Sequence, residues 1–426
     1  MSETPSRREI ETRQLERLRS LVAELAGGNA FYRDRLAAAG VDESIGSLAE
    51  FSRKMPFTTK MDLVWDREEF PPYGTNLTYP LERYSRYCQS SGTTRGPLPS
   101  LDTAESWSAM LDCWDRVYEA AGIDTGETIF FAFSFGPFLG FWTAFEAATR
   151  RGNLSIPGGG LSSQARLQAM AAHDAAVLCC TPTYALRLGE RLAEQTDEDL
   201  RAYRLGKIVV AGEPGGSLPE VREKLSELWR GAAVFDHHGM TEVGPVTYEH
   251  PGKPCSLCVI EDAYFAEVID RETQREVDPG ERGELVLTTL TRAAAPLLRY
   301  RTGDLVQKAY FAESESRPAT FCLEGGILGR VDEMVVIRGV NIYPTAVEKI
   351  IRGFSEVAEF QVIQTTRESM AELEILVEPT GDSPDGLADR IARELADAFT
   401  LRIPVRVVGE GSLPRFEFKS KRWIKQ

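Results

Sequence analysis

The chain has 426 residues, 42% of them hydrophobic and 27% charged, with a net charge of −15. That length suits two or three packed units rather than one small core. The acidic balance excludes nucleic acid as a general partner, because phosphate backbones repel it, and no apolar run reaches the length of a membrane span.

The segment from Met1 to Gln14 is polar and carries both charge signs. It lacks the apolar centre of a signal peptide, so a cytoplasmic protein is expected. In that compartment the seven cysteines are expected as thiols or metal ligands rather than disulfides. Leu15, Leu18, Val22 and Leu25 recur at helical spacing and predict an amphipathic helix ended by Gly27-Gly28. From there to about Asp262, short β-rich runs alternate with helical stretches. Ile129-Phe130-Phe131, Val177-Leu178-Cys179-Cys180 and Ile208-Val209-Val210 read as buried strands, and Trp142 to Thr149 and Ser217 to Trp229 as helices. The alternation predicts a layered α/β domain. Beyond Asp262, runs such as Phe265 to Ile269 and Glu284 to Leu287, broken by Asp278-Pro279-Gly280, predict a β subdomain ending near Thr320. The last hundred residues predict strands at Val335 to Ile337, Glu359 to Ile363, Leu373 to Val377 and Val405 to Val407, with helices over Pro344 to Gly353 and Gly386 to Thr400. Two helices on a small sheet make an α+β lid, giving an N-terminal domain over 1–331 and a lid over 332–426.

Ser90-Ser91-Gly92-Thr93-Thr94-Arg95-Gly96-Pro97 is the strongest local signal. Small hydroxyl residues and glycines let backbone N–H and Oγ donors converge on phosphate oxygens. Further on come Ala211-Gly212-Glu213-Pro214, His237-His238-Gly239-Met240-Thr241-Glu242, Tyr300-Arg301-Thr302-Gly303-Asp304-Leu305, Gly329-Arg330-Val331-Asp332-Glu333 and a basic tail, Pro414 to Arg422.

These strings, in this order, resemble the adenylate-forming superfamily of acyl-CoA synthetases, adenylation domains and luciferases, and within it the phenylacetate-CoA ligase branch. Phe31-Tyr32-Arg33 and Pro56-Phe57-Thr58-Thr59-Lys60 resemble N-terminal signatures of that branch. The resemblance implies that Ser90, Ser91, Gly92, Thr93 and Thr94 cradle the phosphates of ATP. Gly212, Glu213 and Pro214 would lie along the adenine, with His237, His238, Gly239 and Met240 completing the nucleotide site. Thr241 would contact the α-phosphate and Glu242 would hold Mg²⁺, a cation that takes few carboxylates and many phosphate oxygens. Asp304 would accept the ribose hydroxyls and Arg330 would contact ribose and phosphate. Asp332 would be the hinge of the lid. Lys419 would be the adenylation lysine, bridging two anions as charge develops, with Lys421 as its alternative. In three places the chain departs from the family pattern: Arg95 precedes Gly96, His238 stands where tyrosine is frequent, and Phe418 stands where glycine is frequent.

His250, Cys255 and Cys258 form a His-x4-Cys-x2-Cys run, with Cys322 further on. Soft ligands at such spacing predict a structural tetrahedral zinc. Phe130, Phe131, Phe133, Phe135, Phe138, Phe141 and Trp142 crowd one segment. By resemblance this segment lines the acid pocket, with Phe135, Phe138, Gly140 and Gly239 at the site and Ile156 to Gly160 as the facing wall. An aromatic slot suits a planar aryl acid. The expected reaction has two steps: an acid and ATP give an acyl-adenylate and pyrophosphate, and a thiol then captures the acyl group. Coenzyme A is the expected thiol, with a carrier protein or an amine as the alternative acceptor. A homodimer is implied by the branch. Intact Thr241, Glu242, Asp304 and Lys419 set the chain apart from a non-catalytic adenylate-binding module.

Overall fold

The computed structural model describes residues 6–90, 97–194, 203–312, 319–331, 333–337, 340–367, 370–381, 385–416 and 420–425. Its first helices start where a short polar side chain can cap them. Ser6, Asn29, Ser47 and Thr59 each accept the backbone N–H three residues on. They open α1 (Arg7–Gly28), α2 (Ala30–Ala39), α3 (Leu48–Lys54) and α4 (Lys60–Glu69). The predicted stripe of α1 buries Leu18, Val22 and Leu25. The three helices after it are a finding beyond the predicted elements; they are too short for periodicity alone to reveal.

A hairpin follows, Tyr84–Gln89 paired antiparallel with Pro99–Thr103. Thr103 then caps α5 (Ala104–Ala120). The centre of the molecule is a five-stranded, all-parallel sheet. Its spatial order is Ser155–Pro157, Ile129–Phe131, Val177–Cys180, Lys207–Ala211 and Ala233–His237. Parallel neighbours need crossover connections, which α6 (Leu139–Arg151), α7 (Ser163–Ala172), α8 (Pro182–Ala193) and α9 (Pro219–Leu228) help to supply. With both faces covered, the strands read as unbroken apolar runs: Ile129, Phe130, Phe131, Val177 and Leu178 are fully buried.

The predicted β subdomain is a seven-stranded antiparallel sheet. It begins at Thr247, earlier than the predicted edge near Asp262, and takes in Gly329–Arg330, which pairs with Asp304 and Leu305. The lid has its own apolar core, including Ile342, Val347, Ile351, Ile375 and Ile391. Two helices, α10 (Pro344–Arg352) and α11 (Leu387–Phe399), accompany a sheet ordered Val405–Val407, Met370–Pro379, Val357–Arg367 and Trp423–Lys425. The last strand pairs parallel to Val357–Arg367, a non-local pairing that the charged tail does not advertise. No helix among the described residues is long and apolar enough to cross a membrane.

Candidate active site

In open α/β sheets, ligands bind outside the carboxyl ends of the strands. Here those ends carry the predicted site segments. Ile129–Phe131 runs into the aromatic turn, Ser155–Pro157 into Gly158 to Gly160, Lys207–Ala211 into Gly212 to Pro214, and Ala233–His237 into His238.

The phosphate string lies in the hairpin loop between Gln89 and Pro99. Ser91, Gly92, Thr93, Thr94, Arg95 and Gly96 fall outside the described residues. Both described ends are held. Ser90 N donates to Leu98 O at 3.0 Å, and Leu98 N donates to Ser90 Oγ at 3.0 Å. Gln89 N donates to Pro137 O at 2.7 Å. Arg67, from α4, donates to Pro97 O.

Gly212 has φ +93°, a conformation glycine takes without strain, and turns the chain so that Glu213 faces α8. Thr183 N donates to Glu213 Oε1 at 2.9 Å. His237 is buried with its ring centroid 4.4 Å from that of Trp114. Burial holds it down to about 4, so the ring is neutral and its Nδ1–H donates to Thr247 O at 2.6 Å. His238, by contrast, faces the ribose motif. Its Nε2 is 3.2 Å from Asp304 Oδ2, while Arg330 Nη1 donates to Asp304 Oδ1 at 3.0 Å. Asp304 and Arg330 are register partners, so the pairing of two strands sets this contact. Gly239 and Met240 form a two-residue strand against Gly244–Pro245, and a Cβ on Gly239 would stand 2.8 Å from Gly244 O.

Thr241 and Glu242 are aimed by a residue that motif reading missed. Arg292 is fully buried, paired with Asp102 through Nε–Oδ1 at 2.8 Å and Nη2–Oδ2 at 2.5 Å. Its Nη1 donates to Thr241 O at 3.1 Å and Glu242 O at 2.7 Å. The Glu242 carboxylate is itself nearly buried, and its only ion-pair partner among the described residues is Lys60, Nζ to Oε1 at 2.9 Å. The N-terminal signatures explain how Lys60 arrives there. Thr58 Oγ1 donates to Leu298 O at 2.8 Å, and Tyr32 Oη–H is then the donor to Thr58 Oγ1 at 3.1 Å. Thr58 also bridges to Tyr300 at the start of the ribose-motif strand. Apart from that ion pair, Oε1 of Glu242 is buried without a hydrogen bond, and a hard carboxylate oxygen of that kind fits Mg²⁺.

The aromatic segment folds into a packed cluster. Phe133 stacks on Phe141 with centroids 4.1 Å apart, and Phe135 meets Trp142 at 4.9 Å and Phe145 at 5.3 Å. Phe138 meets Phe141 at 5.9 Å. A Cβ on Gly159 would lie 3.3 Å from Phe135 Cδ2, so the glycine turn and the aromatic turn face each other. Gly140 lies in the first turn of α6 with open space beside it. Phe130 and Phe131 are core.

The zinc expectation is corrected. Cys258 and Cys322 are directly opposed on adjacent antiparallel strands and joined as a disulfide. Cys255 lies three residues earlier, where strand alternation works against a shared face. Its N–H points to Glu249 Oε1 at 3.4 Å, beside the Arg222–Glu249 pair. His250 Nδ1 accepts from Gly252 N at 3.0 Å. No three His, Cys, Asp or Glu side chains among the described residues are grouped to hold a metal, and the set does not fit zinc. The expectation that all seven cysteines are thiols or ligands fails with it. Cys88, Cys113, Cys179 and Cys180 are free and buried, as expected of small apolar groups. Asp332 and Lys419 lie outside the described residues.

Residues 90–291 match the AMP-binding enzyme family, and residues 339–426 match the AMP-binding enzyme C-terminal domain. The chain is 31% identical to a phenylacetate-coenzyme A ligase of Thermus thermophilus over 97% of this chain and 96% of that one. The chain belongs to the phenylacetate-CoA ligase family. It is an AMP-forming acid–thiol ligase that activates a carboxylic acid with ATP and passes the acyl group to coenzyme A. The ligase is also 29% identical to the Escherichia coli phenylacetate-coenzyme A ligase, over 99% of this chain and 95% of that one. Among solved structures it resembles a 2-hydroxyisobutyryl-CoA ligase in the postadenylation state, with TM-score 0.90 and 27% identity over 100% of this chain and 91% of that one. Against the same protein in the thioesterification state the TM-score is 0.72, over 99% and 91%.

Proposed function

We propose that the ligase activates a small aryl acid in the cytoplasm, where ATP and coenzyme A are both available. The observation that carries this reading is the aromatic turn. Phe133, Phe135, Phe138 and Phe141 pack together beyond the carboxyl end of Ile129–Phe131, and the Phe135 ring faces Gly159. Flat rings opposite a backbone with no side chain suit a planar substrate.

The acid oxygen attacks the α-phosphorus of ATP, the bond to pyrophosphate breaks, and pyrophosphate leaves. Lys419, or Lys421 in its place, offsets the negative charge gathered between carboxylate and phosphate. Ser90 to Thr94 cradle the phosphates, and Thr241 meets the α-phosphate. Glu242 would hold Mg²⁺, which neutralises phosphate charge when bound. His238 and Arg330 flank the Asp304 carboxylate, which accepts the ribose hydroxyls, and Gly212 to Pro214 lie along the adenine. The lid, 332–426, then turns about Asp332 relative to 1–331. The sulfur of coenzyme A attacks the acyl carbon, the bond to AMP breaks, AMP leaves, and the thiol proton passes to solvent.

The test is acid-dependent pyrophosphate release from Mg-ATP across aryl and short aliphatic acids, with coenzyme A present and absent. An aryl acid with the highest kcat/KM is expected. A clear preference for a short aliphatic acid would overturn the substrate class while leaving the adenylation chemistry standing.

A further inference from the structure

Glu213 does more than line a turn. Its Oε1 accepts Thr183 N at 2.9 Å at the start of α8, and its Oε2 accepts Ser420 N at 2.8 Å and Ser420 Oγ at 3.3 Å. Both carboxylate oxygens are used, one within the N-terminal part and one on the tail. Hydrogen bonds to an ionised acceptor are roughly twice as strong as neutral ones.

Beyond Ser420 the chain belongs to the lid. Arg422 Nε donates to Glu359 Oε1 at 2.7 Å, and its Nη1 to Glu348 Oε1 at 3.0 Å. Trp423–Lys425 then joins the lid sheet beside Val357–Arg367. Within three residues the chain passes from a contact with the nucleotide side to the interior of the lid. A lid that turns as one body carries Arg422 with it and cannot keep Ser420 on Glu213. The surrounding face is charged, with Glu190 and Lys224 on α8 and α9, and Glu348 and Arg352 on α10. Such a face parts and re-forms more readily than an apolar one. The whole chain superposes on the 2-hydroxyisobutyryl-CoA ligase better in its postadenylation state than in its thioesterification state, TM-score 0.90 against 0.72.

We infer that Glu213 is a positioning residue for the adenylation half-reaction: by holding Ser420 it fixes the residue next to Lys419, and it releases Ser420 before coenzyme A is acylated. This rests on the reading of Lys419 as the adenylation lysine.

The two half-reactions of Glu213→Gln are measured separately, as acid-dependent pyrophosphate release and as thioester formation from supplied acyl-adenylate and coenzyme A. A glutamine turns one acceptor oxygen into a donor that faces another N–H. Adenylation is expected to fall about tenfold, the scale of one lost charge-assisted hydrogen bond, mostly in kcat, with thioester formation within about twofold of the parent. Ser420→Pro, which removes the backbone donor, is expected to give the same split. Ser420→Ala, which keeps the shorter bond, is expected to retain most adenylation. Equal loss in both half-reactions, or loss in neither, overturns the proposal. Lys419→Ala separates the two ideas. If it abolishes adenylation while Glu213→Gln spares it, the positioning role is wrong. If Lys419→Ala itself adenylates normally, the lysine reading fails and the proposal falls with it.

Discussion

The Lys60 ammonium lies 2.9 Å from Glu242 Oε1, so the carboxylate proposed for Mg²⁺ is already neutralised by a residue 182 positions earlier in the chain. Lys60 is half-exposed, which keeps the attraction modest, on the order of 1 kcal/mol. Lys60→Met is expected to tighten Mn²⁺ binding to nucleotide-free protein by about fivefold, read by electron paramagnetic resonance. Unchanged or weaker binding would show that Lys60 does not compete for that carboxylate.

Arg292 and Asp102 form a buried pair whose donors also fix the carbonyls of Thr241 and Glu242. Removing one partner leaves an uncompensated buried charge, which costs about 3–5 kcal/mol. Asp102→Leu is expected to lose that much in urea denaturation. Asp102→Leu combined with Arg292→Met is expected to recover most of the stability without recovering adenylation, because the two carbonyls stay unheld.

Burial is the main reason the Asp236 carboxyl is pushed up to about 6, with Glu249 adding to it against opposing bonds from Ser217 and His237. The native state therefore binds a proton that the unfolded chain releases near the ordinary carboxylate value of 3.8. Stability drawn from this group is present below pH 4 and is lost as pH rises to 6. Asp236→Asn lacks that loss. Its stability relative to the parent is expected to rise by about 2–3 kcal/mol between pH 4 and pH 6, measured by denaturant titration of both proteins. A constant difference across that window would contradict the assignment.

Because Cys258 and Cys322 are joined, the unfolded, unreduced protein is expected to titrate five thiols out of seven cysteines. Seven thiols together with one equivalent of bound metal would restore the zinc site in place of the disulfide.

The motifs proposed to touch the nucleotide were legible because each is a short local string whose glycines and hydroxyls have a direct chemical purpose. The lid was legible because amphipathic spacing marks its helices, Pro344–Arg352 and Leu387–Phe399. The features that stayed hidden depend on distant pairs. Arg292 reads as one charge after a strand until Asp102 is found 190 positions away. The His-Cys spacing carries no account of strand facing, so Cys258 and Cys322 read as two of four zinc ligands with His250 and Cys255 rather than as a directly bonded cross-strand pair. One signal was available: Thr58 and Lys60 sit in a signature string with no assigned chemistry, and such a string either holds the site or belongs to it.

Gln89 N donates to Pro137 O, joining the strand that enters the phosphate hairpin to the turn that carries the aromatic cluster. With the acid and phosphate sites as proposed above, the two substrate sites would share a peptide-to-peptide tether. On that reading, an acid that moved Pro137 would pull on Gln89 and on Ser90 beside it. Thermodynamic reciprocity would then require that nucleotide occupancy alter acid affinity by the same factor. The choice of acid would then be made by the ternary assembly, and acid selectivity measured with and without ATP is expected to differ.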